Sequence, residues 1–169
     1  MDISRLNAGE MVLISGAVYT ARDAAHKRLT EMINSGRQPP FEFKGQIVYY
    51  CGPCPNRPGN VIGSAGPTTS GRMDAYSPLL IENGLKAMIG KGRRNQAVKD
   101  AIKACGGVYF AAIGGAGALI AGCVKKWEPI AFEDLGPEAI KRLTVKELPV
   151  IVAIDANGND VYDRFTLAR

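Results

Sequence analysis

Residues Gly63 to Asp74, GSAGPTTSGRMD, carry glycines, a proline and hydroxyl side chains between two apolar runs, with no helical or alternating pattern. Neither a long helix nor a strand suits such a stretch, so the chain is expected to fold around a central loop. Gly63, Gly66 and Gly71 let the backbone approach a ligand closely, and Pro67 stiffens the approach. The run Thr68-Thr69-Ser70 predicts the N-cap of a helix beginning near Arg72. Free amides at such a start, with a guanidinium beside them, form a site for an anion. If that helix begins by Thr68, then Thr68 and Arg72 stand one turn apart and can face the same ligand. The plainer alternative is a capped surface helix in which Arg72 pairs with Asp74.

At 169 residues and 18.0 kDa the chain is expected to form one domain, residues 1–169, with enough core to need no disulfide or metal. A net charge of +5 raises the question of nucleic acid, but the basic residues are scattered with few aromatics among them, so none is expected. A small dianionic substrate or an acidic partner subunit accounts for the excess equally well. The stretch Met1 to Glu10 is polar and has no apolar signal core, which gives a cytoplasmic expectation. The uncharged window Ala104 to Val124 has the length of a membrane span. Gly106, Gly107, Gly114, Gly115, Gly117 and Gly122 interrupt it, so it reads as a buried strand, Cys105 to Ile113, then a glycine turn and a short buried helix. No membrane association is expected.

Cys51, Cys54, Cys105 and Cys123 read as free thiols rather than a disulfide framework. Cys51-Gly52-Pro53-Cys54 has thioredoxin-like spacing, so a redox dithiol or half of a metal site is an alternative. Against it, no second CxxC and no suitably spaced histidine follows, and Pro55 opens a proline-rich loop where a redox motif has a helix. The Gly114-Gly115-Ala116-Gly117 turn lacks dinucleotide spacing and the acidic residue that would hold a ribose, and reads as close packing of small residues.

Met11 to Tyr19 alternates and predicts a strand, after which Thr20 caps a helix from about Arg22 to Asn34. Gly45 to Tyr50 predicts a second strand, Leu79 to Ile89 and Asn95 to Cys105 two helices, with Gly90-Lys91-Gly92 as a hinge between them. Trp127 to Phe132 reads as a strand, Pro137 to Lys146 as a helix with proline in its first turn, and Pro149 to Asp155 as a strand. Asn157-Gly158 then turns into a short antiparallel return at Val161-Tyr162. Strands alternating with helices predict an α/β domain.

At the first strand-to-helix junction, Arg22 and His26 are four residues apart and share a helical face. Asp23 suits the positive end of the helix dipole, whereas Arg22 does not, so its place there points to a ligand anion. By itself, His26 reads as a half-buried helix residue, and Lys91, with Arg93 and Arg94 beside it, as part of a solvated basic rim.

Two stretches resemble one family. GPTTSGRMD (66–74) is similar to the GPTT-[AS]-GRMD signature of the C-terminal domain, or separate β subunit, of the iron–sulfur-dependent class I fumarases and L-tartrate dehydratases, and RDAAHKR (22–28) is similar to its R-D-x-x-H-[KR]-R motif. The resemblance covers about Met11 to Tyr162 and implies a swivelling β/β/α fold. It implies Thr68 as catalytic base, His26 as a proton donor or as the residue that orients one, and Arg22, Arg72 and Lys91 as carboxylate holders. It also implies a C4 dicarboxylate substrate, and a [4Fe–4S] cluster carried on three cysteines of a separate α subunit or N-terminal domain and not on this chain. The assembly implied is a hetero-oligomer.

The expected activity is the β half of a hydro-lyase converting fumarate to L-malate. L-tartrate or mesaconate is the alternative substrate. A CxxC redox protein and a non-catalytic anion-binding assembly subunit are the readings from other classes. Fixed cations suit the chemistry, because taking a proton from carbon beside a carboxylate loads charge onto that carboxylate.

Overall fold

The structure, a computed structural model, describes residues 3–56, 58–59, 61–113 and 115–164. Gly114, the first residue of the expected glycine turn, lies outside them, as do Met1 and Asp2 of the polar stretch Met1 to Glu10. The fold is mixed α/β and is built on a closed barrel of five strands. Strands β1 (Met11–Thr20), β2 (Ile47–Tyr49), β3 (Ala87–Gly90) and β4 (Val108–Ala111) run parallel to one another. A fifth strand of the sheet, β5 (Val124–Ala131), lies outside the barrel, antiparallel to the long strand β6 (Ile140–Ile154) that closes it.

Closure depends on the length of β6. Its 15 residues pair with β1 from Lys141 opposite Thr20 to Ile151 opposite Met11, and with β4 from Ile151 to Ile154. A bulge bends the β1–β6 pair midway: the register slips between Ile14 and Gly16, Gly16 has φ +124° and Glu147 +53°, and the Glu147 N–H donates to Ser15 Oγ.

Alternation along the short strands serves two cores. Tyr49, Ile89 and Phe110 join Ile14, Val18, Leu143 and Val150 in one buried cluster. Their neighbours Val48, Met88 and Tyr109 join the second, against Leu29 of α1 (Asp23–Asn34), Leu80 of α2 (Ser77–Glu82) and Ile102 of α3 (Gln96–Cys105). Burial on both faces explains why these strands read as continuous apolar runs. This barrel with helices on its outer face is the architecture that the resemblance implies.

Three expected elements differ. Leu79–Ile89 is not one helix: α2 stops at Glu82, Gly84 turns with φ +101°, and Ala87–Gly90 becomes the strand between β2 and β4. Pro137–Lys146 is not a helix either, because a 3₁₀ turn, Glu133–Glu138, precedes β6, and residues 140–145 pair with β5 and, from 141, also with β1. Long-range pairing overrides local preference here. The return after Gly158 is a single bridge, Ile154 to Asp160, followed by the short helix α5 (Val161–Arg164). The uncharged window resolves into β4 and α4 (Gly117–Cys123), and no helix among the described residues is long and apolar enough to cross a membrane.

Candidate functional site

The parallel strands end on one side of the barrel, and Arg22, His26, Thr68, Arg72 and Lys91 each follow one of those ends or lie on the loop that crosses them. β1 leads into Ala21 and Arg22, with the Ala21 N–H donating to Tyr49 O at 3.1 Å. β2 leads into Tyr50 and Gly52, and β3 into Lys91. The central loop is stitched onto these ends: Thr68 N–H donates to Tyr50 O at 2.7 Å, Lys91 N–H to Thr68 O at 3.3 Å, and Ser70 N–H to Lys91 O at 2.9 Å. Thr68 and Lys91 are therefore tied by backbone bonds. Gly90 makes the close approach possible, since a Cβ there would collide with Ser70 Oγ and the Tyr50 ring.

The loop does not form the expected cap. Its 3₁₀ turn spans Ser70–Met73 with Thr69 at the N-cap position and no side-chain cap bond, so Thr68 precedes the helix and is not one α-turn from Arg72. Thr20 likewise does not cap α1. The N-cap is Arg22, and Thr20 Oγ1 instead accepts the Lys141 N–H at 3.1 Å.

Arg72 does not pair with Asp74. Arg72 Nη2 donates to Asp23 Oδ2 at 2.8 Å, and Arg22 Nη2 lies 3.7 Å from the same oxygen. Two guanidinium groups thus converge on one carboxylate oxygen. Burial alone would raise the Asp23 carboxyl, but its own backbone N–H and the guanidinium groups of Arg72 and Arg22 hold it below the ordinary value. Arg22 also lies 3.2 Å, through Nε, from Glu138 Oε1 and packs over Gly52, where a Cβ would stand 2.9 Å from Nη1.

Asp74 is buried and belongs to a different partner. Arg94, read from sequence as part of a solvated rim, is buried and donates from Nε to Asp74 Oδ1 at 2.6 Å and from Nη2 to Ser77 Oγ at 2.7 Å. Its guanidinium carbon lies 5.3 Å and 5.0 Å from the ring centres of Tyr50 and Tyr109. Asp74 Oδ2 accepts the Asn95 N–H at 2.7 Å, which fixes the loop's exit to the start of α3.

His26 is fully enclosed. Its backbone N–H and its Nδ1 both bond to the Arg22 carbonyl, at 2.8 Å and 2.9 Å. A carbonyl only accepts, so Nδ1 carries the proton and Nε2 is left with a lone pair that has no hydrogen-bond partner among the described residues. Burial pushes the imidazole down to about 4, against the opposing effect of the Arg22 carbonyl, so it is neutral at ordinary pH. The ring meets Tyr50 edge-on at 5.1 Å.

The structure thus brings Arg22 and Arg72 together through Asp23, ties Thr68 to Lys91, and sets His26 behind Arg22. Three participants were missed in the sequence: Asp23 as a bridge, Glu138, and Arg94. Only Asp23 carried a local signal, its place inside the RDAAHKR motif. Within the CxxC pair Cys51 is buried, and burial pushes its thiol up to about 12, away from the thiolate that redox chemistry needs, whereas Cys54 is exposed. Among the described residues no group of three or more His, Cys, Asp or Glu side chains is placed to hold a metal ion.

Arg22 and Arg72 converge on Asp23 at the carboxyl ends of the parallel strands of an α/β barrel domain. The chain belongs to the fumarase C-terminal family, whose model, described as Fumarase C-terminus, matches residues 1–165. It is 38% identical over 169 residues to Fumarate hydratase 2 of Leishmania major, covering 99% of this chain and 30% of that protein. Against the aerobic class I fumarate hydratase of Escherichia coli K12 it is 36% identical over 170 residues, covering 99% of this chain and 31% of the relative. Against the putative L(+)-tartrate dehydratase subunit beta of Methanocaldococcus jannaschii it is 38% identical over 168 residues, covering 96% of this chain and 86% of that one. The chain therefore spans less than a third of the two fumarate hydratases and most of the tartrate dehydratase subunit.

Proposed function

We propose that this chain is the β-type half of a hydro-lyase active site that adds water reversibly to fumarate to give L-malate, working with a partner α subunit that carries a [4Fe–4S] cluster. The observation that carries the reading is the meeting of Arg22 and Arg72 on one carboxylate oxygen of Asp23, beside a loop that ties Thr68 to Lys91. A cluster on the partner would supply the Lewis acid that a hydroxide leaving group requires.

The roles of this chain's residues follow from charge. Arg22, Arg72 and Lys91 bind the two carboxylates of the diacid and stabilise the charge that builds on one of them as the adjacent carbon loses its proton, an effect that reaches several kcal/mol in a site closed to water. Thr68 is the base. An ordinary hydroxyl is too weak an acid for that task, so its ionised form depends on the neighbouring cations and on a carboxylate from the partner. His26 takes the orienting role: its enclosed ring and its bond to the Arg22 carbonyl support holding the N-terminus of α1 and with it Arg22.

Likeness to a tartrate dehydratase subunit supports L-tartrate as the second substrate, with mesaconate beside it, and only the shape of the assembled pocket separates these diacids. The test is fumarate hydration by the chain alone and after anaerobic mixing with the cluster-bearing α subunit, with mesaconate and tartrate alongside. Activity only in the mixture, lost with Thr68→Ala, is the expected result. Turnover that survives Thr68→Ala while Arg72→Ala weakens binding would assign the chain to anion binding or assembly.

A further inference from the structure

Glu138 comes from the far end of the chain, and the fold spends several contacts to bring it to Arg22. The turn that carries it, Glu133–Glu138, is fastened to α1 by Arg28, whose Nη1 and Nη2 donate to Asp134 Oδ1 and Oδ2 at 2.9 Å and 2.8 Å. The same guanidinium covers the Phe132 ring at 4.8 Å. On the other side Thr20 Oγ1 donates to Ala139 O at 3.4 Å and accepts the Lys141 N–H at 3.1 Å. Glu138 lies between these two anchors.

Its Oε1 stands 3.2 Å from Arg22 Nε, an ion pair, while the buried Nε–H is not aligned on any hydrogen-bond acceptor among the described residues. The attraction is therefore one of charge, and it restrains where the guanidinium sits without consuming its donors in bidentate bonds. Asp23 faces Arg22 Nη2 at 3.7 Å, and the backbone at Gly52 lies against Nη1 and Cδ. A long, flexible side chain is thus held between two carboxylates and a glycine before any ligand arrives, which removes the ordering cost that a free arginine would bring to binding.

We infer that Glu138 is a positioning residue, which holds the Arg22 guanidinium in the orientation used for the substrate carboxylate and acts only through Arg22. This rests on the carboxylate-binding role given to Arg22 above. Glu138→Gln keeps the shape and removes the charge.

The test is a double-mutant cycle in the complex with the α subunit, with Glu138→Gln made in the wild-type and Arg22→Ala backgrounds and kcat and KM measured for fumarate, mesaconate and tartrate. In the wild-type background KM is expected to rise about five- to tenfold with kcat changed less than about twofold. In the Arg22→Ala background the same change is expected to have no further effect. An equal effect in both backgrounds, or none in either, overturns the inference, and a purely structural role would lower the melting temperature without any dependence on Arg22. A second readout stands apart from turnover: the Arg22 Nε–H resonance of the full chain. It is expected to shift and to exchange faster with water in Glu138→Gln. If the complex turns over no diacid, the reading of function fails and this resonance alone decides, with an unmoved signal overturning the positioning role.

Discussion

Asp23 and Arg72, 49 positions apart in the chain, are joined by a hydrogen bond of 2.8 Å from Arg72 Nη2 to Asp23 Oδ2. It links the start of α1 to the central loop, so the two family motifs meet at a single side chain. Asp23 is a counter-ion that Arg72 and Arg22 share.

Replacing Asp23 by Asn tests that link. Its folded carboxyl lies below the ordinary 3.8, so the stability it contributes is present above that value and is lost as pH falls through the folded value. Both side chains are partly exposed to solvent, which limits the contribution to about 1 kcal/mol. Urea unfolding at pH 6 and at pH 3 is expected to show a smaller acid loss in Asp23→Asn than in the parent.

His26 is the only histidine, so its proton resonances can be followed without assignment. The imidazole is expected to show no titration above about pH 5, because burial moves it from 6.5 to about 4. The folded pKa is depressed, so between those values the unfolded chain binds a proton that the folded chain refuses, and stability falls as pH drops through that window. The full loss is on the order of 3 kcal/mol. A ring titrating near 6.5 in the native chain would contradict the enclosed site.

Arg94→Met leaves the buried Asp74 carboxylate without its guanidinium, and a loss of about 3–5 kcal/mol is expected. Replacing both partners, Arg94→Met with Asp74→Asn, is expected to recover part of that. Denaturant midpoints for the two single variants and the double variant measure it.

Gly90→Ala sets a methyl group against Ser70 Oγ and the Tyr50 ring. The expected cost is about 1–3 kcal/mol, with the Thr68–Ser70 segment displaced from Lys91. Faster amide exchange at Ser70 and Lys91, whose N–H groups carry the bonds between that segment and Lys91, is the measurement, and protection equal to the parent would show that the loop absorbs the methyl group elsewhere.

What the sequence made legible was local. The central loop, the helix that carries His26 and the strand expected over Met11–Tyr19 are written in adjacent residues, and the described structure has a loop, a helix and a strand at those places, with Arg22 at the helix N-cap and not within it. Segments 79–89 and 137–146 were misread because their apolar spacing fits a helix as well as a strand, and only pairing with distant strands decides between them. Arg94 looked like surface because it follows Arg93 in a basic run. Its burial depends on Asp74, Ser77, Tyr50 and Tyr109, which no short window contains together. Glu138 carried no signal for the same reason.

The pairing of β1 with β6 has a consequence for how the chain acquires this form. Met11 meets Ile151 and Thr20 meets Lys141, so the first strand waits for nearly the whole chain before its longest partner exists. Contacts so distant in sequence slow folding, because the entropy of closing the intervening loop is lost before the strands gain from pairing. Glu138 and Ala139 arrive with that same late strand. In a chain growing from its N-terminus Arg22 therefore meets Glu138 only after residue 138 has been made, and a nascent chain released before then would hold the two signature motifs without that carboxylate.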